Sequence, residues 1–556
     1  MKLTGGQIVA KALKANGVDY VAGMPGDGSW ALVEALLTAG TDIPFIQVMQ
    51  EQSSVHIADG YFRACGRPMA VLLPVPLGLS KALGGIAAAL ADSSAMLVIS
   101  GGGADSALPG PDGRGPDALG SNVTKAHWVA AGVEQLPQTL RQAFDTMFSG
   151  RVGPVNLEIP VAVQSASIEL RRPPATLRTT SELPLADPLL IERAAQILHG
   201  ADRPVILVGG EVIATDACAQ LLVLAERLLA PVVTTTQGKG AFAEDHPLSA
   251  GAIGRTGCSG GNRLLATADV VLVLGCLSQA YNGLRVVEQG GAQLIAIDSA
   301  PYETQVDPLS GMRISADIKS ALTDLLAAIS SSPFKALQLR RSAYRREITV
   351  RRKEQASRWV QDGSDVPPLI VQRPLAELRS VLERDAILVV GAGSIQAAVR
   401  QMFPVYYPRS HLCAGSFGTV GWAVPAAIGA KLAMPARQVV CAVGDGDFLQ
   451  SMQEMAVCVM HSIPVVFLVF NNSGYVSLSD VQTPLVEQHR AGEFNLPDGK
   501  PYSPDFAGIA RNFGLDAWRV EHASQLNSTF IKALNSKGPS LVEVITARGS
   551  RVGNGA

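Results

Sequence analysis

Charge, aromatic side chains and paired cysteines are all scarce in this chain. Of 556 residues only 17% are charged and 5% aromatic, and 46 Lys plus Arg nearly balance 48 Asp plus Glu, leaving a formal net charge of −2. With a pI near 6.5 there is no basic surplus to attract nucleic acid or an anionic membrane, and neither is expected as a partner. The seven cysteines (Cys65, Cys218, Cys258, Cys276, Cys413, Cys441 and Cys458) are scattered, odd in number and never spaced Cys-x-x-Cys. That pattern predicts neither a disulfide framework nor a zinc site, and several of these thiols sit in apolar runs as small buried hydrophobes. No apolar stretch approaches the roughly 18 residues that span a bilayer, and the start, Met1-Lys-Leu-Thr-Gly-Gly-Gln7, has no signal-peptide core. A cytoplasmic protein is the expectation.

What is abundant is apolar: 47% of the residues are hydrophobic, enough at this length to fill several cores, two to four domains, and to leave oligomer interfaces. Short apolar runs alternate with helical patterns in three α/β segments, which predicts three doubly wound α/β domains with mainly parallel sheets at 1–170, 186–330 and 366–556. Strands are expected at Tyr20–Gly26, Ile43–Val48, Met69–Leu73, Met96–Ser100 and Val155–Ile159, then at Pro204–Val208, Pro231–Thr234, Asp269–Leu274 and Gln293–Ile297. The polar stretch Arg171–Pro184 reads as a linker. Arg340, Arg341, Arg345, Arg346, Arg351 and Arg352 read as the solvated face of a helical connector. No solenoid period is evident, although the outer two segments could be distant copies of one fold.

The most informative feature lies in the last segment. Gly444-Asp445-Gly446 follows the apolar run Gln438–Val443, and Asn471-Asn472 follows Ile463–Phe470, with Asn472 27 positions after Asp445. Both should stand at the ends of neighbouring parallel strands, with a helix over Phe448–Met460 between them in a βαβ unit. One carboxylate and one uncharged amide oxygen suit magnesium that also takes phosphate oxygens, since a second carboxylate would repel the diphosphate. The glycines allow backbone to approach the anion. Taken singly, a Gly-Asp-Gly turn is an ordinary tight turn and an Asn-Asn pair ordinarily ends a strand.

Gly444–Gly446 through Asn472 resembles the thiamine-diphosphate motif, and the whole chain is similar to the acetolactate synthase and 2-oxoacid decarboxylase superfamily. The likeness includes Phe45–Gln52 with Ala58-Asp59-Gly60-Tyr61, Gly238-Lys239-Gly240 with Glu244–Leu248, and Gly418-Thr419-Val420-Gly421 with Pro425–Ala430. It implies thiamine diphosphate and Mg2+ as cofactors, with Asp445, Asn472 and Gly474 around the metal. Glu51, otherwise readable as a helix-dipole partner, matches the glutamate that hydrogen-bonds the aminopyrimidine and favours its imino tautomer. Val420, otherwise a core valine, matches the apolar position that bends the cofactor. Gly391, Ser394 and Gly418 fall where the family contacts the cofactor, as do Gly444, Gly446, Asp447 and Pro25. The family commonly has Ser where Asp447 stands. Tyr475 would line the pocket or serve as a structural aromatic, and His489 is equally open.

Other positions depart from acetolactate synthase. Pro74-Val-Pro-Leu-Gly78, followed by Lys81, replaces a Gly-Pro-Gly-type turn. No glutamine can be placed within Asp112–Asn122, and Ser477–Val481 lacks the acceptor-selecting tryptophan. Asp27 resembles an acidic catalytic position of some pyruvate decarboxylases, although their histidine pair is absent and a turn-forming Asp is an equal reading. Gln482–Phe506 is polar and turn-rich, as a lid would be. FAD or ADP in the central domain is an open possibility, with Asp298 placed to accept from a ribose. Against it, Val208-Gly-Gly-Glu-Val lacks the dinucleotide fingerprint and Leu277–Tyr281 replaces the flavin-associated pattern; an empty, structural central domain is the slight favourite. The resemblance implies decarboxylation of a 2-oxoacid such as pyruvate and transfer of the acyl carbanion to an acceptor. The alternatives are a non-decarboxylating hydroxyketone lyase or diketone hydrolase, and a non-catalytic regulatory homologue. A homodimer or homotetramer with sites between chains is expected.

Overall fold

The computed structural model describes residues 1–26, 28–74, 77–102, 122–170, 184–254, 256–276, 291–299, 311–329, 334–361, 365–415, 417–475 and 492–548. Asp27, the stretches 112–121, 171–183 and 277–281, and 477–491 with Val481 and His489 therefore lie outside the described residues.

Alternation of apolar runs and amphipathic helices produces three six-stranded sheets, parallel throughout. In the first third, β1 (Lys2–Thr4) is followed by β2 (Val21–Gly23), β3 (Phe45–Gln47), β4 (Met69–Pro74), β5 (Met96–Gly101), β6 (His127–Val129), β7 (Val155–Glu158) and β8 (Ser167–Glu169). Strands β2 to β7 form a sheet in the order β3-β2-β4-β5-β7-β6, while β1 and β8 make a separate antiparallel ribbon. The helices α1 (Gly5–Ala15), α2 (Trp30–Thr38), α3 (Glu51–Cys65) and α4 (Leu77–Ala91) belong to this third.

The central sheet comprises β9 (Pro204–Val208), β10 (Val232–Thr234), β11 (Ser249–Ala252), β12 (Val270–Leu274), β13 (Gln293–Asp298) and β14 (Gly311–Ser315). Their order, β11-β10-β9-β12-β13-β14, is the dinucleotide-fold arrangement, with its reversal between β9 and β12. The last sheet comprises β15 (Ile387–Val390), β16 (His411–Cys413), β17 (Val439–Gly444), β18 (Val466–Asn471), β19 (Asp516–Val520) and β20 (Ser540–Ile545), in the order β16-β15-β17-β18-β20-β19. Counted within its own sheet, the strands of each outer sheet run second, first, third, fourth, sixth, fifth. The two outer segments thus share one topology.

The outer thirds are joined through a common apolar core. Helix Ala423–Ala433, apolar nearly all round (AVPAAIGAKLA) and buried along most of its length, lies against α3, as a helix without a polar face must. Gly60 and Gly429 permit the approach, because a Cβ at either would collide with backbone of the other helix, Ala426 O and Ile57 O respectively. A buried polar cluster fixes the register. Trp422 Nε1 donates to Asp59 Oδ2 at 2.7 Å, and Arg63 donates to Asp59 at 2.6 and 2.8 Å and to Asp92 at 3.1 Å. Burial opposes the charge on Asp59, but Arg63 and Trp422 hold its carboxyl below the ordinary range.

Two expectations need correction. The stretch Phe448–Met460 is not one helix: a turn at Asp445–Phe448 is followed by a 3-10 turn at Met452–Glu454 and a helix at Met455–Met460. The break falls at Ser451, which leaves helical space at φ −146°, beside Gln450, on which Gly421 packs. The arginine run does form helices, at Phe334–Arg340 and Ser342–Gln361, but it is not simply a solvated face. Arg341 is fully buried, and its guanidinium donates to the carbonyls of Leu198, Ala201 and Leu228. It closes the C-terminal ends of two central-domain helices, where a cation is favoured by unpaired carbonyls. Burial pushes its pKa down to about 10.

Candidate active site

β17 and β18 pair in parallel with Gly444 opposite Phe470, so their C-terminal ends deliver Asp445 and Asn472 to one edge of the sheet. The reversal of strand order between β15 and β17 lies beside them, the place where open α/β sheets leave a crevice. Asp445 is 1% exposed. Its Oδ1 accepts from Gly446 N at 2.9 Å and its Oδ2 from Gly474 N at 3.2 Å, and burial still raises its pKa to about 6. The two asparagines divide the work. Asn471 gives its amide to Glu543 Oε1 at 2.7 Å, whereas the buried Asn472 Oδ1 has no hydrogen-bond partner. A buried acceptor without a donor is expensive to keep. Beside a carboxylate it is the kind of oxygen a hard divalent cation takes when phosphate completes the shell. The residues present therefore fit magnesium held together with a diphosphate.

Flanking turns bear on the same edge. β15 ends at Val390, Gly391 follows it, and helix Ser394–Met402 starts after Gly393 at φ 95°. β16 leads to Gly418 at φ 68° and Gly421 at φ 85°, with Val420 36% exposed between them. Asp447 explains the departure from Ser at its position. Its Oδ2 accepts from Ala392 N at 2.9 Å and its Oδ1 from Gly421 N, so one carboxylate ties both turns together; burial raises its pKa to about 6. A Cβ on Gly391 would collide with Asp447 Oδ2. Tyr475 stacks over Gly446, where a Cβ would sit 2.5 Å from its ring, and donates from Oη to Gly446 O at 3.4 Å. It meets Phe494 edge-on with centroids 5.2 Å apart, so it braces the motif turn.

Glu51 is the first residue of α3 and 4% exposed. Lys81 of α4 donates to Glu51 Oε1 and Oε2 at 3.2 and 3.1 Å. The segment before Glu51 touches the segment after the diphosphate motif within the same chain: Met49 N donates to Glu454 Oε2 at 3.2 Å and Gln453 Nε2 to Gln50 Oε1 at 3.4 Å. Burial raises Glu454 to about 7. Pro25 lies in the turn after β2, where Ser29 Oγ both accepts from Gly26 N and donates to Gly26 O. Gly26 packs on Pro74 at the end of β4.

Comparison with known proteins bears directly on this arrangement. Residues 3–113, 191–325 and 391–544 match the N-terminal TPP-binding, central and C-terminal TPP-binding domains of the thiamine pyrophosphate enzyme family. The chain is 32% identical to a probable acetolactate synthase large subunit of Methanocaldococcus jannaschii, over 98% of this chain and 92% of that one. It belongs to the thiamine-diphosphate-dependent enzymes. Identity to acetolactate synthase isozyme 1 large subunit of Escherichia coli K12 is 29%, covering 98% and 94% of the two chains. A solved structure from Mycobacterium smegmatis assigned to the thiamin diphosphate-dependent enzymes superimposes with a TM-score of 0.79 at 25% identity, covering 98% of this chain and all of the other. The chain is thus a thiamine-diphosphate-dependent enzyme of acetolactate synthase-like type.

Several supports of this candidate site were not read from sequence. Glu543 is fully buried, and accepts from Asn471 and, at 3.1 Å, from Ala507 N; a glutamate inside the apolar run Ser540–Ile545 was the available signal. Arg548 donates to the carbonyls of Asn472 and Ser473 at 3.2 and 3.1 Å and to Phe494 O at 2.7 Å, tying the turn after β18 to Phe494 within the segment read as a lid. The Gly238–Leu248 pattern serves assembly: Lys239 is ion-paired with Glu244 at 2.6 Å, and Glu244 exchanges backbone and side-chain bonds with Val405. In the central domain the carboxylates Glu211 and Asp298 each keep a buried oxygen without a partner. Burial raises them to about 7 and about 6, and Asp298 adds to the rise on Glu211. Asp298 would suit a ribose hydroxyl, but Glu211 stands in the turn after β9, where a dinucleotide's diphosphate would lie, and does not fit that group. No helix among the described residues is long and apolar enough to cross a membrane.

Proposed function

We propose that this enzyme uses thiamine diphosphate and Mg2+ to decarboxylate a 2-oxoacid, with pyruvate the first candidate, and to join the remaining acyl unit to an acceptor. The observation that carries the reading is the unpartnered Asn472 Oδ1 beside Asp445 at adjacent strand ends. When bound, the cofactor supplies a carbon nucleophile and an electron sink. Asp445, Asn472 and the Gly474 backbone would hold the metal. Gly391, Ser394, Gly418, Gly444 and Gly446 give backbone room and donors to the cofactor's phosphate end and thiazolium side. Glu51 would hold a proton at the ring nitrogen of the pyrimidine, and Val420 would pack against the cofactor and help orient it.

The molecule works as a homodimer or homotetramer in which Glu51 of one chain faces the metal seat of another. Exposure of Val420 and of Phe417, 36% and 54% in the single chain, supports apolar surface at the seat being covered by a second copy.

Incubation with Mg2+, thiamine diphosphate and pyruvate, followed by carbon dioxide detection and mass spectrometry of products, tests the reaction. Carbon dioxide should appear with a stoichiometric carbon–carbon-joined product, and Glu51→Gln should slow it by about 100-fold or more. Cleavage of hydroxyketones with no carbon dioxide from any 2-oxoacid would replace the decarboxylase reading by the lyase one.

A further inference from the structure

The first turn of α4 rests on Glu51. A Cβ built on Gly78 would lie 2.6 Å from Pro74 Cδ and 3.3 Å from Glu51 Cγ, so glycine lets the helix settle against the stem of the acid. Three residues on, and so on the same helical face, Lys81 lays its ammonium across both carboxylate oxygens. The partners differ sharply in exposure, 55% for the Lys81 side chain and 6% for Glu51. One side of the ammonium is committed to a buried acid, and the rest faces open space.

An ordinary surface ion pair joins two exposed groups and contributes little. This one places a cation on the single side chain that is to meet the pyrimidine ring, three residues after the Pro74–Gly78 turn. We propose that Lys81 is a positioning residue for Glu51: it holds the carboxylate aimed, and sets a positive charge against the acid at the point where the ring docks. The proposal rests on Glu51 being the pyrimidine-facing carboxylate.

The consequence follows from charge. A ring seated on a lone carboxylate is readily kept in its protonated, cationic form, whereas a second cation nearby disfavours that form relative to the neutral imino tautomer. Lys81 therefore extends the imino form to lower pH. Among the described residues, the other titratable groups packed on this stretch are Glu454, whose carboxylate accepts from Met49 N, and His56 one turn along α3. His56 is held neutral by burial, with its pKa lowered to about 4, and contacts Gln52 Nε2 at 3.1 Å. Neither supplies a positive charge at neutral pH.

The test compares wild type, Lys81→Met and Lys81→Arg as full-length protein loaded with Mg2+ and thiamine diphosphate. Readouts are circular-dichroism titration of the ring's imino signature, calorimetric cofactor affinity, and kcat and KM for a 2-oxoacid. Lys81→Met should move the titration midpoint up by about one pH unit or more and lower kcat about tenfold while KM changes less than about threefold; Lys81→Arg should restore the midpoint. An unchanged midpoint in Lys81→Met overturns the proposal, as does an intact titration in Glu51→Gln, which would remove Glu51 from the ring. If Lys81→Met does not fold, Lys81→Gln replaces it with the same expected shift. A shifted midpoint in a protein that decarboxylates no 2-oxoacid would sustain Lys81 and sink the proposed reaction instead.

Discussion

At the scale of single residues, the site stores carboxylates where their charge is unwelcome. Burial raises Asp445 and Asp447 to about 6 and Glu454 to about 7. Each folded value lies above the unfolded one of about 4, so these groups favour the folded state at low pH. That contribution fades as pH rises to between about 6 and 7, where the native chain must bury anions that the unfolded chain leaves in water. On the proposed function, a divalent cation bound at Asp445 would relieve this cost. The rise in melting temperature on adding Mg2+ with thiamine diphosphate should therefore be larger near pH 7.5 than near pH 5.5; equal rises in scanning calorimetry would uncouple Asp445 from the metal. Asp445 and Asn472 were legible because residue type, spacing and strand context converge on them. The division of labour between Asn471 and Asn472 was not, because Glu543 reaches Asn471 across 72 positions of sequence through strand register.

At the scale of elements, strands with continuous apolar runs were legible, whereas most edge strands, β3 excepted, were not. Three-residue β6, β16 and the half-exposed β19 carry too little pattern to stand out from loop. The packing of α3 on helix Ala423–Ala433 hangs on two glycines that have no conformational reason to be glycine. A Cβ at Gly429 would collide with Ile57 O and lie 2.8 Å from Tyr61 N. Because the obstacle is backbone, Gly429→Ala should lose about 3 kcal/mol, the upper end of overpacking penalties, by urea denaturation. Gly84→Ala in α4, where a Cβ meets nothing within 4 Å, is the control and should be neutral or stabilising. Equal effects of the two substitutions would show that the helix contact is loose. The helix expected after Asp445 breaks at Ser451 for a related reason: tertiary neighbours, not local propensity, set its course.

At the scale of the molecule, the two outer sheets share one strand order and pack through a common core, while the central sheet has the dinucleotide-fold order. If the working site is completed between chains, two dead variants can rescue each other. Mixing Glu51→Gln and Asp445→Asn chains by co-refolding or co-expression should recover about a quarter of wild-type activity, since random pairing makes half the dimers mixed and each mixed dimer keeps one intact site. No recovery in verified mixed dimers would place both residues of a site in one chain.

Sequence alone determined the cofactor class, the α/β character and the placing of Asp445 and Asn472, the two residues proposed to anchor a metal, at neighbouring strand ends. These depend on residue type, short-range order and hydrophobic period, all of which are written locally. Tertiary structure alone decided that Asn472 rather than Asn471 is left open, that Asp447 binds two turns together, that Arg341 is buried, and that Lys81 lies on Glu51. Each of these is a meeting of side chains and backbone distant in sequence or separated by a turn. Only the way sheets and helices pack determines which of many possible partners comes within hydrogen-bond reach.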